Sequence, residues 1–304
     1  MIDVVTVGHV LLDIRFLVNR FVGPDEEGVI LKETRSVGGS AANVAIGVRR
    51  LGFKSAIIAK VGFDPFGRIA VEELMKEGVD LPGLRVGFGA TGFSIVIIDK
   101  QGRIIIYGFK GSSEELTPQE VDLNIIKNSR HVHIASLRLD TSVRVAKIAN
   151  ELGKTVSWDP GRVLSMTGLE RLKEIIRYTD IVLANEEEVR AMTGENDYRV
   201  AAKILRSLGP RLVIVKRGPN GVYVDSHEGC FSVASLKPPK IIDTTGAGNA
   251  FAAGLITAFF RGYNVKEVVK YAIAAATLKI SRLGSHEIPT HSEVINFLQT
   301  HQQL

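Results

Sequence analysis

DTTGAGNAF, residues 243–251, leads directly into an apolar run that ends at Phe260. Small residues ahead of a helix favour an anion site, because the amides of the first turn have no intrahelical acceptors and the helix dipole attracts negative charge. Gly246 and Gly248 let a ligand approach the backbone closely. The stretch therefore predicts a phosphate site at the start of a buried helix or, as the plainer alternative, a glycine-rich turn that only begins that helix.

Outward from this segment, short β-branched runs alternate with helical patterns. Expected strands are residues 4–7, 55–61, 132–135, 155–158, 181–184 and 212–216, and expected helices are 41–51, 68–77, 141–152, 169–177 and 198–208. This alternation is typical of βαβ units that build a mainly parallel sheet with helices on both faces. After Thr245 the pattern becomes mostly helical.

Two segments, about 14–36 and 93–109, break the alternation because each shows strand patterns without an intervening helix. The second reads as a hairpin with its turn at 99–102. Together the two segments predict a small antiparallel β lid beside the main sheet. No Pro- or Ser-rich linker or internal repeat divides the chain, so residues 1–304 are expected to form a single domain.

The 243–251 segment resembles the signature D-T-T-G-A-G-D of the ribokinase-like carbohydrate kinases, the phosphofructokinase-B family. Further family elements lie N-terminal to this segment, in the order in which the family has them: GGSAANVA at 38–45, DPGR at 159–162, NEEE at 185–188 and KRGPNG at 216–221. The resemblance covers about residues 4–290, and the chain looks like archaeal sugar and nucleoside kinases. It implies a ribokinase-like α/β fold and phosphoryl transfer from a nucleotide to a hydroxyl of a sugar, sugar derivative or nucleoside. A sugar phosphate such as ribose-1-phosphate is an alternative acceptor.

By this resemblance, the N–H groups of Gly246, Ala247 and Gly248 form the anion hole for the migrating phosphoryl group. The next position carries the family's aspartate, which accepts the proton of the attacking hydroxyl, and here it is Asn249. General-base assistance is typically worth about 10²–10⁴-fold in rate and an amide is not basic, so this form is expected to bind both substrates but turn over poorly. Asn249 is either a near-isosteric substitution that traps a complex, which we favour, or the natural state of a homologue that binds sugar and nucleotide without catalysis.

The resemblance assigns the nucleotide to the ends of two strands. Asn185 and Glu188 match the family's N-x-x-E motif, which organises Mg²⁺ through water around the phosphates, although an acidic helix start is the plainer explanation of this run. Lys216 and Gly218 follow a buried strand, where open α/β sheets bind ligands. Gly221 is included in this set, although it also fits a simple hairpin turn. The donor is ATP or ADP.

The resemblance assigns the acceptor hydroxyls to Asp13, Gly39 and Asn43. A carboxylate accepts from hydroxyls, an amide both donates and accepts, and glycine admits a sugar ring against the backbone. Lys110 and Arg162 are candidates for reading a phosphate already on the acceptor, although each is more often a surface charge. Residues 38–39 are also expected to act as a hinge for the lid, whose closure would exclude water from the donor.

A monovalent-cation site, for K⁺, is implied by the resemblance of Asp243 and Thr245, with carbonyls of the 276–284 stretch, to such a site in some family members. The 281–289 segment is shorter than the ribokinase pattern, which argues against a potassium requirement.

Composition limits the other classes of function. The 38 Lys and Arg against 33 Asp and Glu leave a formal charge of +5 with no basic tract, which argues against nucleic acid as a partner. No apolar run approaches the roughly 18–20 residues of a membrane span, and Cys230, the single cysteine, excludes an intramolecular disulfide. We therefore expect a cytoplasmic enzyme of small molecules, and we expect the β lid to pair two chains into a homodimer.

Overall fold

A computed structural model describes residues 1–101 and 103–301. Its strands are β1 Ile2–Gly8, β2 Leu11–Val18, β3 Ile30–Gly38, β4 Ser55–Gly62, β5 Asp80–Gly87, β6 Thr91–Ile98, β7 Ile104–Gly111, β8 Ser129–Ala135, β9 Thr155–Asp159, β10 Ile181–Asn185, β11 Leu212–Lys216, β12 Val222–Ser226 and β13 Gly229–Val233. Its α-helices are α1 Ser40–Arg50, α2 Pro65–Lys76, α3 Leu123–Lys127, α4 Leu139–Glu151, α5 Gly161–Ser165, α6 Leu169–Arg177, α7 Glu186–Thr193, α8 Tyr198–Ser207, α9 Ala247–Phe260, α10 Val265–Lys279 and α11 His291–His301. Gly102, part of the expected turn at 99–102, lies outside the described residues, as do residues 302–304 of the expected domain.

Nine strands form the main sheet in the order β13-β12-β11-β10-β9-β8-β1-β4-β5. All pairings from β11 to β5 are parallel, whereas β12 and β13 extend one edge antiparallel. Successive residues of a strand face opposite sides. Val5 and Val7 accordingly belong to the core cluster on the side of α4, α6 and α8, whereas Val4 belongs to the core cluster on the side of α1, α9 and α10. The prediction of a mainly parallel sheet with helices on both faces is confirmed.

The lid is a separate four-stranded sheet in the order β3-β2-β6-β7. It is somewhat wider than expected, since its strands reach from Leu11 to Gly38 and from Thr91 to Gly111. The outer pairings are antiparallel, as predicted, but the central β2–β6 pairing is parallel. The reason is that β1 and β5 run in the same direction through the main sheet and both end at its carboxyl side. Strands β2 and β6, which follow them, therefore start next to each other and run in the same direction.

Helix α9 is apolar around its circumference because α1 and α10 pack against it, and its residues Ala250–Ala258 are buried. Gly248, in its first turn, lies beside the Lys216 ammonium at the end of β11. The helix therefore begins at the carboxyl edge of the main sheet, where open α/β sheets bind ligands. Among the helices described, none combines the length and the apolar character that crossing a membrane requires.

Candidate active site

The N-terminus of α9 is held by a tight turn at Gly246. This residue has φ 82°, and a Cβ there would overlap the Ser285 carbonyl, so only glycine fits without strain. The N–H of Ala247 donates to the Thr244 carbonyl at 3.2 Å, whereas the N–H groups of Gly246, Gly248 and Asn249 meet no acceptor within residues 1–101 and 103–301. Of the three amides predicted to form the anion hole, that of Ala247 is thus already used by the turn that precedes the helix.

Three strands of the main sheet end with polar residues below this helix. Asp159, Asn185 and Lys216 are the last residues of β9, β10 and β11, and Asn185 lies in register with Lys216. The Lys216 Nζ donates to Asp159 Oδ2 at 2.7 Å and would lie 3.4 Å from a Cβ on Gly248. The lysine predicted to contact the nucleotide thus stands directly beside the free amides.

Asn185 and Glu188 form a capping box at the start of α7. The Asn185 side chain accepts from the Glu188 N–H at 2.8 Å, and Glu188 Oε2 accepts from the Asn185 N–H at 2.8 Å. These residues therefore do form the acidic start of a helix, which was the alternative to a magnesium motif. The other carboxylate oxygen of Glu188, Oε1, remains available for a further partner.

Charge is concentrated where β9, β10 and β11 end. Burial and the neighbouring Asp159 carboxylate raise the pKa of Glu188. Burial alone would lower the pKa of Lys216, but the charges of Asp159 and Glu188 outweigh it and the pKa is raised. Carboxylate oxygens are the ligands that Mg²⁺ prefers, so Asp159 and Glu188 fit a magnesium ion held through water.

A cavity of about 600 Å³ opens beside the N-terminus of α9. Its lining includes Lys216, Gly218 and Gly248 and is otherwise mostly apolar, with side chains that include Phe251 and Ile273. A few polar groups in a mostly apolar lining suit a nucleotide, whose phosphates need donors and whose base needs apolar surroundings.

Gly218 and Gly221 bound the short turn between β11 and β12, which pair antiparallel, so the hairpin expected here is confirmed. Both glycines have positive φ, 53° and 82°, and both line the cavity. A Cβ on Gly221 would overlap the Val233 carbonyl, so this glycine also lets β13 approach the turn closely.

Asp13 does not present a free carboxylate to the acceptor site. Its Oδ2 accepts from Arg15 Nη2 at 2.9 Å and from Ser285 Oγ at 2.8 Å, and its Oδ1 accepts from Ser94 Oγ at 2.6 Å. Asp13 and Arg15 are both 6% exposed. The sequence reasoning missed Arg15, although its i, i+2 spacing from Asp13 on a strand places both on one face.

Gly39 and Asn43 occupy the start of α1, beside β2. A Cβ on Gly39 would overlap the His9 carbonyl, and its φ is 93°, so the position requires glycine. Asn43 is 3% exposed, and its buried Oδ1 has no hydrogen-bond partner in the described part of the chain. Buried polar atoms are normally paired, so the unpaired Oδ1 makes Asn43 a candidate for binding a donor from outside the protein.

The two basic candidates for an acceptor phosphate are not equivalent. Lys110, at the end of β7, lies 3.1 Å from His9 Nδ1, and the other ring nitrogen of His9 lies 2.6 Å from Glu114. Burial lowers the pKa of Lys110. Arg162 is exposed on α5, and no hydrogen bond of its side chain links it to the acceptor residues that the structure describes.

The proposed monovalent-cation site contains a protein cation. Asp243 Oδ1 accepts from the Thr245 N–H at 2.9 Å and Oδ2 from the Gly284 N–H at 3.0 Å. The Lys279 Nζ, fully buried, donates to the Asp243 carbonyl at 2.8 Å. Burial lowers the pKa of Lys279 to about 8, so the group is still charged at neutral pH. K⁺ does not fit among oxygens that an ammonium already occupies.

Comparison with known proteins identifies the family to which the chain belongs, and the matches cover almost its whole length. The model of the pfkB family of carbohydrate kinases matches residues 1–291. An ATP-dependent ribose-1-phosphate kinase from Halopiger xanaduensis is 36% identical over 98% of both chains, and a nucleoside kinase from Methanothermobacter thermautotrophicus is 28% identical over 96% of this chain and 94% of that one. The solved structure of an Escherichia coli protein designated ribokinase II, with ATP and Mg²⁺, superposes with a TM-score of 0.87 at 29% identity, over 99% of this chain and 100% of that one. The chain belongs to the pfkB family of carbohydrate kinases and has the ribokinase-like fold.

Proposed function

We propose that this protein transfers the terminal phosphoryl group of ATP to a hydroxyl of a ribose-type sugar phosphate, with Mg²⁺, and that Asn249 limits the turnover of the present form. The observations that carry the proposal are the free amides at Gly248 and Asn249 and the position of Gly248, which lines a nucleotide-sized cavity beside the Lys216 ammonium. The name of the 36% identical relative supports both ATP and the acceptor class.

On the donor side, this chain's residues position charge and do little covalent work. The amides of Gly248 and Asn249 donate to the oxygens of the migrating phosphoryl group, and Lys216 adds a positive charge beside them. Asp159 and Glu188 would hold Mg²⁺ through water, and the bound ion would neutralise phosphate charge. The apolar part of the cavity takes the nucleotide base.

On the acceptor side, the hydroxyl oxygen attacks the terminal phosphorus, the bond to the leaving nucleoside diphosphate breaks, and the hydroxyl proton needs an acceptor. An aspartate at position 249 would take that proton, whereas the Asn249 amide cannot. Asn43 Oδ1 accepts a hydrogen bond from another sugar hydroxyl, which fixes the acceptor's orientation. Lys110, beside His9, would supply the positive charge that an acceptor phosphate requires, and the exposed Arg162 is a second candidate for that charge.

The test compares the chain as it stands with Asn249→Asp. Each is given ATP or ADP with ribose-1-phosphate, ribose or a nucleoside, and the nucleotide product is measured against a reaction without acceptor. We expect Asn249→Asp to gain about 10²–10⁴-fold in transfer to one acceptor class. Asn196→Asp, an exposed change of the same chemistry, is the matched control and should gain nothing.

A second candidate, a homologue that binds without turnover, is favoured by Asn249 itself. It predicts that the Asn249→Asp protein binds ATP and an acceptor in calorimetry but forms no product with any acceptor tested. A nucleoside as the preferred acceptor would instead redirect the proposal to the activity named for the 28% identical relative.

We further propose that two chains associate through the lid. The edge strand β7 exposes Ile106, Tyr107 and Phe109, which are 55%, 64% and 48% exposed. Apolar side chains clustered on an edge strand favour pairing with another chain. Sedimentation velocity should show a dimer, and Ile106→Glu combined with Tyr107→Glu should yield a folded monomer. A monomeric unaltered protein would contradict this proposal.

A further inference from the structure

Lys279 is a buried charge that the proposed chemistry does not use. It lies in the last turn of α10, and its side chain is 0% exposed. A buried ammonium is costly unless it is paired and hydrogen-bonded. Its Nζ donates to the Asp243 carbonyl oxygen at 2.8 Å and lies 3.9 Å from Asp243 Oδ2, so the pairing is directed at one residue of the signature segment.

That residue joins two parts of the active site. Through its carboxylate, Asp243 holds the Thr245 N–H ahead of α9 and the Gly284 N–H in the loop after α10. The backbone N–H of Asp243 donates to the Ile280 carbonyl at 3.1 Å. The loop after α10 in turn packs its Ser285 carbonyl against Gly246. The position of the α9 amides therefore depends on the junction that Lys279 stabilises.

A dissolved cation and the Lys279 ammonium would compete for the same place. A hard monovalent cation at this junction would need the carbonyl and carboxylate oxygens of Asp243, and the ammonium already lies 2.8 Å and 3.9 Å from them. Two like charges so close repel strongly where water is excluded. An ammonium group has one positive charge, so the side chain can replace the ion in charge as well as in position.

We propose that the Lys279 ammonium is a built-in monovalent cation, which holds the 243–246 turn and the loop after α10 in place of K⁺. Lys279 is thus a positioning residue for the anion hole, and this role rests on the proposed function. The unaltered protein takes no potassium at this junction, and removing the ammonium creates a site for K⁺ or NH₄⁺ beside Asp243.

The first test needs no nucleotide. The thermal unfolding midpoint is measured in potassium, ammonium or tetramethylammonium chloride at matched ionic strength, for the unaltered protein and for Lys279→Met, whose unbranched side chain is one atom shorter and lacks the charge. We expect the unaltered protein to show the same midpoint in all three salts. The Lys279→Met midpoint should be lower and should rise by about 2–4 °C in potassium or ammonium relative to tetramethylammonium, because an ion bound only by the folded state stabilises it.

Lys270→Met is the matched control, because Lys270 is exposed on the same helix. It should behave as the unaltered protein does. If Lys279→Met does not fold, Lys279→Gln is used, and the unaltered protein alone still decides one half of the proposal. A potassium-specific rise in its midpoint would overturn the proposal, and so would a Lys279 variant that is destabilised equally in all three salts.

The second test separates this inference from the proposed function. ATP binding is measured by calorimetry in the same salts, and we expect Lys279→Met to bind roughly tenfold more weakly in tetramethylammonium, with recovery in potassium or ammonium. If no variant binds ATP in any salt, the proposed function fails, while the unfolding midpoints still decide whether Lys279 acts as the cation. If ATP binding is weakened equally in every salt, the cation role fails while the nucleotide site stands.

Discussion

The carbonyl of Ser285 packs directly against the α-carbon of Gly246, at the place where any other residue would carry its Cβ. Gly246 also has φ 82°, a conformation that costs an L-residue about 1–2 kcal/mol. We therefore predict that Gly246→Ala lowers the free energy of unfolding by at least about 2 kcal/mol, since strain and overlap add. Urea denaturation followed by circular dichroism measures the change. A Gly246→Ala protein as stable as the unaltered one would contradict this close approach.

Two residues further along, the prediction for stability has the opposite sign. A Cβ on Gly248 would meet the Lys216 Nζ at 3.4 Å, an ordinary contact, and the residue lies in the first turn of α9. Gly248→Ala should raise the free energy of unfolding by about 0.5–1 kcal/mol, because glycine is unfavourable in helices. The added methyl group should weaken ATP binding by about tenfold or more, since it stands where the phosphates approach the amides. Denaturation and calorimetry on one preparation test both halves, and weaker binding without the gain in stability would show that the methyl group disturbs the fold.

Asn43 is predicted to matter for binding and little for stability. Its buried Oδ1 has no partner to lose within the described residues, so Asn43→Ala should change the free energy of unfolding by less than about 1 kcal/mol. The affinity for the sugar acceptor should fall by about tenfold, the effect of one lost hydrogen bond to a buried group. Calorimetric titration with the acceptor gives the affinity, and Asn150→Ala, an exposed change on α4, is the control. Unchanged acceptor affinity would remove Asn43 from the site.

The fold could be predicted from the sequence because its signals are local. The expected helix 169–177 has the bounds of α6, and the expected strand 212–216 has those of β11, since periodicity and flanking residues decide such elements. The parallel pairing of β2 with β6 could not be predicted. It follows from the direction in which two distant strands leave the main sheet, which no local pattern encodes.

Residues of the candidate site could be predicted from the sequence where a local motif combines a residue type with a specific chemical role, such as glycine for close approach of a ligand or lysine for positive charge. Lys216, Gly218 and Gly248, which belong to the motifs that the sequence singles out, line the cavity. The long-range hydrogen bonds were not predictable, because they join residues far apart in the sequence: Ser285 donates to the Asp13 carboxylate, and Lys279 donates to the Asp243 carbonyl. An isolated lysine near the end of a helix carries no sign in the sequence that it will be buried. The sequence therefore indicates dissolved K⁺, and not the Lys279 side chain, as the candidate cation beside Asp243.

Two buried histidines on β8 predict a loss of stability in mild acid. Burial lowers the pKa of His131 to about 3 and that of His133 to about 4, from the ordinary value of 6.5. Their rings are satisfied in the neutral form, since Ser157 Oγ lies 2.7 Å from His131 Nε2 and 2.7 Å from His133 Nδ1. Below about pH 6.5 these two histidines bind protons in the unfolded chain but stay neutral in the folded chain. The free energy of unfolding should therefore fall as the pH falls from about 6.5 toward 4.

The expected slope is roughly 1.4 kcal/mol per pH unit for each histidine, once the pH is well below 6.5 and above the folded-state pKa. Urea denaturation at a series of pH values measures it. His133→Gln should make the slope shallower by the share of that one histidine, whatever it does to stability at neutral pH, because glutamine does not titrate. His227→Gln, an exposed change, is the control variant. A free energy of unfolding that stays constant from about pH 6.5 to 5 in the unaltered protein would mean that these imidazoles are protonated as readily in the folded chain as in the unfolded one, contrary to their burial.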